Sequence, residues 1–163
     1  MRHTLSVLVE NEPGVLSRVS GLFSGRGFNI DSLNVAPTLE TGVSLMTIVT
    51  EGDEQIVEQI LKQLRKLITV IKVVDMNTVQ CVEREMVLVK LNATDHSRAE
   101  ILRIVDIFRR KVVDVSPTEL ALEATGDSGK IQALINLLQR FGIKEIARTG
   151  AVAMRRSMQL ERH

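Results

Sequence analysis

The sequence predicts an α+β protein of two tandem βαββαβ units, each an antiparallel four-stranded sheet with two helices on one face. Three observations predict it. Short runs of period two alternate with helical stripes of period 3.6. The order strand, helix, strand, strand, helix, strand occurs twice over similar lengths. Glycine and proline punctuate the joints rather than the interiors of these runs. The boundaries predicted are 1–80 for the first unit and 83–163 for the second.

In the first unit, residues 2–10 alternate Leu5, Val7 and Val9 with polar positions, as a half-buried strand does. Residues 14–25 carry Val15, Leu16, Val19, Leu22 and Phe23, a helical stripe that Gly25-Arg26-Gly27 stops. Residues 28–36 and 43–50 are β-rich runs joined through Pro37 to Gly42. Asp53 is placed to cap a helix that carries Ile56, Val57, Ile60, Leu61, Leu64 and Leu67. Residues 69–80 return as a strand.

The second unit follows a short charged joint, Glu83-Arg84-Glu85. Met86–Leu91 is a strand, and Asp95 or Ser97 caps a helix bearing Ile101, Leu102, Val105 and Phe108. Strands over Val112–Val115 and Glu119–Ala124 are split by Ser116-Pro117. A helix over Gly129–Phe141 ends at Gly142, and Ile143–Arg148 closes the unit. Strands 70–74 and 86–91 are apolar on both sides, which predicts cover by the other unit or by a second subunit.

Composition excludes several functions. Lys and Arg number 21 against 20 acidic residues, so no basic footprint marks a nucleic-acid or membrane surface. The strands lack the aromatic residues that stack bases. A single cysteine, Cys81, rules out an intrachain disulfide and reads as a small buried residue in a reducing, cytoplasmic compartment. Phe23, Phe28, Phe108 and Phe141 read as core. His3, His96 and His163 have no convergent partner and read as solvated surface. Asp31 and Asp75 have no acidic neighbour suited to acid–base work. Gly25-Arg26-Gly27 and Gly126 to Lys130 are fragments of phosphate loops without the full spacing, although the second opens a helix and offers a weak anion site. No catalytic constellation and no metal site emerge.

The informative stretch is Asn11-Glu12-Pro13-Gly14-Val15-Leu16-Ser17-Arg18-Val19. A turn there opens the first helix, and a helix N-terminus offers free N–H donors with about half a positive charge. Such a site suits a small carboxylate. Asn11 either contacts that ligand or serves locally as an Asx-turn or helix cap. Asn29 begins the second strand, which this topology places at a sheet edge. Two such edges paired about a two-fold axis bring Asn29 of one subunit to the Asn11–Gly14 turn of the other. Ile30 or Val35 then meets the ligand's side chain. Burying a branched aliphatic group supplies about 1.5–3 kcal/mol. With a similar contribution from the charged ends, dissociation constants fall on the order of micromolar to millimolar.

Asn11 to Val19, then Gly21-Leu22-Phe23-Ser24, Arg26-Gly27-Phe28-Asn29-Ile30, and Ser32, Leu33 and Val35 resemble the opening of the small, regulatory subunit of acetolactate synthase (acetohydroxyacid synthase). Phe108 to Val115, Gly126 with Gly129-Lys130, and Ile146 to Gly150 resemble its second half. The resemblance implies an N-terminal amino-acid-binding ACT domain and a C-terminal ferredoxin-like domain, in the short form of the family that ends soon after Arg156. It implies a homodimer through the ACT domains and a separate large catalytic subunit. That subunit carries thiamine diphosphate, magnesium and FAD; this chain carries no cofactor and no activity of its own. It implies stimulation of that subunit, and feedback inhibition by valine or a related branched-chain amino acid. The implied effector residues are Asn11, Gly14, Val15, Ser17 and Asn29. Two rival readings are a stand-alone amino-acid sensor acting on another enzyme or on transcription, and an enzyme in its own right. The chain shows no basic recognition helix for the first and no catalytic group for the second.

Overall fold

A computed structural model describes residues 1–157. The chain divides into two compact units, Met1–Val82 together with the residues from Ala151 on, and Glu83–Gly150. The boundary predicted at 83–163 thus differs from the structure, in which the chain from Ala151 returns to the first unit.

The first unit follows the predicted order: β1 (Arg2–Glu10), α1 (Val15–Gly25), β2 (Ile30–Pro37), β3 (Val43–Glu51), α2 (Glu54–Arg65) and β4 (Val70–Asp75). The sheet order is β2-β3-β1-β4, with β1 antiparallel to both neighbours. Leu5, Val7, Val9, Met46 and Ile48 point from the sheet into a core closed by Val19 and Phe23 of α1 and Val57, Ile60 and Leu64 of α2. The end of α1 is a Schellman motif. Gly27 takes a left-handed φ of 72°, its N–H donates to Ser24 O at 3.2 Å, and Phe28 N–H donates to Phe23 O at 2.9 Å.

The strand predicted over 69–80 stops at Asp75. A 3-10 turn, Met76–Thr78, replaces its second half, because the Asp75 carboxylate accepts the Asn77 N–H at 3.0 Å and folds the chain over. Asn77 then ties the turn to β1: its side chain accepts from Thr4 N–H at 3.2 Å and donates to Arg2 O at 2.7 Å. This network also corrects the placement of His3, which is buried instead of solvated. Its Nδ1 lies 3.2 Å from Asp75 Oδ2, and its Nε2 is buried with no partner. His96 is exposed, and His163 lies outside the described residues. Asp75→Ala strands the second ring nitrogen as well. It is expected to cost about 1–3 kcal/mol, read as a lower urea midpoint.

The second unit contains most of β5 (Cys81–Asn92), then α3 (Asp95–Ile107), β6 (Lys111–Val115), β7 (Glu119–Gly126), α4 (Ser128–Leu138) and β8 (Ile143–Arg148). Its sheet order is β6-β7-β5-β8; a last strand, β9 (Val152–Arg155), which the sequence pattern does not predict, belongs to the first unit and pairs with β5, the strand that spans the boundary between the units. Its core joins Val87, Val89 and Leu91 to Ile101, Val105, Ile131, Leu134 and Leu138. Glu83-Arg84-Glu85 lies within β5, and Glu85 is buried in an ion pair with Arg148. Cys81 is half-buried, its Sγ 3.7 Å from Met76 O.

The cap of α3 is neither Asp95 nor Ser97 but Thr94. Thr94 Oγ1 accepts from Ser97 N–H at 3.2 Å, and Ser97 Oγ accepts from Thr94 N–H at 3.0 Å. Ser97 thus supplies the returning half of a capping box. Thr94→Ala should lower stability by about 1 kcal/mol in thermal or urea unfolding. Phe108 lies just beyond this helix at 44% exposure, so it is not core; Phe23 is buried, and Phe28 and Phe141 are half-buried against the cores of their units. The last turn predicted for α4 is a 3-10 turn over Gln139–Phe141. Gly142 follows with φ 84°, where a Cβ would meet Asn92 Nδ2 at 2.7 Å.

The apolar two-sidedness of residues 70–74 and 86–91 has a plain outcome in the isolated chain. Val73 and Val87 face the helices, while Ile71, at the register slip of β4 on β1, and Leu88, on the opposite face of its sheet, remain exposed. Beside Leu88 stand Val113 and the Lys90–Glu145 ion pair, 3.2 Å long. The hydrogen bond from Lys90 to Glu145 holds the ammonium above its usual range, and that from Lys144 to Glu119 holds the carboxyl below its own.

Candidate functional site

The turn between β1 and α1 is built by backbone bonds. Glu10 N–H donates to Thr69 O at 2.8 Å, Asn11 N–H to Gly42 O at 2.7 Å, and Glu12 N–H to Glu10 O at 3.0 Å. These bonds pin the turn to the start of β3 and to the residue before β4. Gly14 is the N-cap of α1, with φ 85° and ψ −2°. That left-handed backbone is why glycine stands here. A Cβ would meet nothing within 4 Å.

No side chain caps α1, and no acidic residue lies in its first turn. The other three α-helices each receive a side-chain cap, from Asp53, Thr94 and Asp127. Asp127 accepts the Lys130 N–H at 2.9 Å, so the weak anion site foreseen at Gly126 to Lys130 is filled by the chain's own carboxylate. At α1, Val15 N–H donates to Glu12 O at 3.3 Å and Arg18 N–H to Gly14 O at 3.0 Å. Between them lie the amides of Leu16 and Ser17, in the turn where a helix leaves its first donors without intrahelical acceptors. No acidic side chain within the first turn therefore offsets the positive end of the helix dipole.

The local role considered for Asn11 fails on two counts. Its side chain does not cap the helix. An Asx-turn needs an N–H two residues on, and Pro13 has none. Asn11 and Ser17 are both exposed. Val15 differs: its side chain is 3% exposed and packs in the core, so only its backbone belongs to the turn.

Asn29 and Ile30 lie elsewhere in the chain. β2 is an edge strand with β3 as its neighbour. Its far end, Val35 to Pro37, pairs with Met46 to Ser44, close to the Gly42 that holds Asn11. Its near end pairs Ile30 with Thr50. β2 spans eight residues, so its ends lie about 23 Å apart at the usual rise per residue. Within one chain the structure brings Asn11, Gly14, Ser17 and Val35 to one end of β2 and leaves Asn29 and Ile30 at the other. Ile30 is half-buried against the core and Val35 is 42% exposed. Two residues that the sequence did not link to Asn29 touch it: Thr50 Oγ1 donates to Asn29 O at 2.7 Å, and Asn29 Nδ2 donates to Asp31 Oδ1 at 3.1 Å. The spacing of Asn29 and Asp31 was visible; the Thr50 contact depends on strand register.

Among the described residues no group of three His, Cys, Asp or Glu is placed to hold a metal ion, and no helix is long and apolar enough to cross a membrane. A βαββαβ sheet with an open helix N-terminus at its tip, followed by a second unit of the same order, is the architecture of an ACT-type protein. The comparisons agree. Residues 5–72 match the family described as AHAS small subunit-like ACT domain, and residues 84–157 match the small subunit of acetolactate synthase. A probable acetolactate synthase small subunit of Archaeoglobus fulgidus is 53% identical over 154 residues, covering 94% of this chain and 96% of its own. The acetolactate synthase small subunit of Aquifex aeolicus is 52% identical over 161 residues, covering 98% and 84%. The crystal structure of the small subunit from Thermotoga maritima superimposes with a TM-score of 0.87 at 43% identity, covering 98% and 99%. The chain belongs to the family of acetolactate synthase small subunits.

Proposed function

We propose that this chain is the non-catalytic regulatory subunit of an acetolactate synthase in branched-chain amino-acid biosynthesis. It stimulates a separate large catalytic subunit, and thiamine diphosphate, magnesium and FAD belong to that partner. Valine, or a related branched-chain amino acid, withdraws the stimulation. The observation that carries this reading is the uncapped N-terminus of α1 at Gly14.

The effector's carboxylate takes the amides of Leu16 and Ser17. Its ammonium takes side-chain oxygens of Asn11 and of Asn29 from a second protomer. Its side chain lies against Val35 or Ile30. The two-fold pairing of β2 edges is what makes such a site possible, because antiparallel edges set the start of one β2 beside the end of the other. Binding then changes how two ACT domains sit together, and the catalytic subunit meets an altered surface. Linkage requires the catalytic subunit to change effector affinity by the same factor.

The test is calorimetric titration of the chain with valine, leucine and isoleucine, followed by capture of the catalytic subunit and its assay with pyruvate. Saturable binding, capture and inhibition that depends on the small subunit are expected. Binding without capture would make this a stand-alone sensor. Acetolactate formed by the purified chain alone would make it an enzyme.

A further inference from the structure

The near end of β2 carries an arrangement that a plain edge strand does not need. Thr50, at the end of β3, is fully buried, yet its hydroxyl donates to Asn29 O at 2.7 Å, one residue outside the β2–β3 ladder. The register then slips between Ile30 and Ser32, so that Asp31 has no partner on β3. Its carboxylate accepts the Asn29 side-chain N–H at 3.1 Å on the exposed surface. An ionised carboxylate only accepts, so Asn29 must turn its NH2 towards Asp31 and present its oxygen elsewhere.

We propose that Asp31 and Thr50 are positioning residues that fix the pose of Asn29, so that its side-chain oxygen and the neighbouring carboxylate receive the ammonium group of the effector. This end of β2 is then the element that separates an α-amino acid from the 2-oxo acid with the same carbon skeleton. The inference rests on the effector reading above. An ammonium offers three donors and no acceptor. A 2-oxo acid places a carbonyl there, so acceptor faces acceptor and a negative charge stands nearby. Sites that hydrogen-bond a substrate group reject analogues lacking it far more sharply than apolar pockets reject a missing methylene. The α1 terminus cannot make this distinction, because both ligands carry the same carboxylate.

The experiment titrates the full chain with valine and with 3-methyl-2-oxobutanoate, alongside thermal melting of each variant. The unaltered chain is expected to prefer valine by about 100-fold or more, and Asp31→Ala to bring the ratio within about 10-fold, mostly by weakening valine. Asp31 is exposed, so this variant keeps its melting temperature. Thr50→Val should weaken valine by about 10-fold, the worth of one hydrogen bond, and Thr50→Ser should restore it. A merely structural role would weaken both ligands alike and leave the ratio unmoved. An unchanged ratio in Asp31→Ala, with valine binding abolished in Gly14→Asp, overturns this inference and leaves the effector site standing. No valine binding by the unaltered chain overturns both.

Discussion

Gly14→Asp is expected to abolish the valine response and to leave stimulation of the catalytic subunit in place. The backbone at residue 14 is left-handed, φ 85°. A non-glycine residue there is strained by about 1–2 kcal/mol. Aspartate is among the residues that tolerate this region best, and nothing lies within 4 Å of its Cβ. A carboxylate beside an uncapped helix N-terminus returns about 0.3–1 kcal/mol. Stability therefore falls by at most about 1.7 kcal/mol. The effect on binding is far larger, because the new carboxylate sits where the ligand's own must go. Two like charges about 4 Å apart repel by about 4 kcal/mol near a protein surface, a loss of more than 100-fold in affinity. Calorimetry with valine and inhibition curves of the reconstituted enzyme measure it. Gly14→Ala carries the strain without the charge and should retain binding within about 10-fold. A valine response in Gly14→Asp equal to that of the unaltered chain would remove the turn from the site.

Val35→Asp is expected to split the proposed dimer and, with it, the proposed effector site. Val35 lies on the free edge of the first sheet and is 42% exposed. A charge on an edge strand is a means by which proteins block edge-to-edge pairing. Aspartate is too short to carry its charge away from the contact, as a lysine does. Because Asn29 and the Gly14 turn occupy opposite ends of β2, a lone chain cannot close both on one small ligand. Sedimentation should show a monomer at concentrations where the unaltered chain is a dimer, and calorimetry should show valine affinity reduced by about 100-fold. A Val35→Asp chain that remains dimeric and binds valine normally would place the site, or the interface, elsewhere.

Both predictions start from features that short stretches of sequence carry. The turn ahead of α1 is legible because it combines a proline that gives no N–H, a glycine that accepts positive φ, and a helical stripe beginning at Val15. The stop at Gly27 and the stripes of α2 and α4 are legible for the same reason. Each follows from φ preference and side-chain period over a handful of neighbouring residues. The edge position of β2 also follows, once the order of elements is known.

Other features depend on partners far along the chain. His3 is buried because Asp75, 72 residues away, meets it across the sheet. Thr50 holds Asn29 across 21 residues, and only the register of β2 on β3 makes that contact. Val15 stands in the apolar stripe of α1 and also among the effector residues that the resemblance implies, and its side chain packs in the core. Glu85 reads as part of a charged joint between the units, whereas Arg148, 63 residues on, pairs with it inside β5. Periodicity says which face of a strand is apolar, whereas register says which residue stands opposite. A slip of one position exchanges every cross-strand neighbour. Local chemistry thus wrote the βαββαβ order and the anion-ready turn into the chain, and long-range pairing selected which polar groups are held, buried or offered to a ligand.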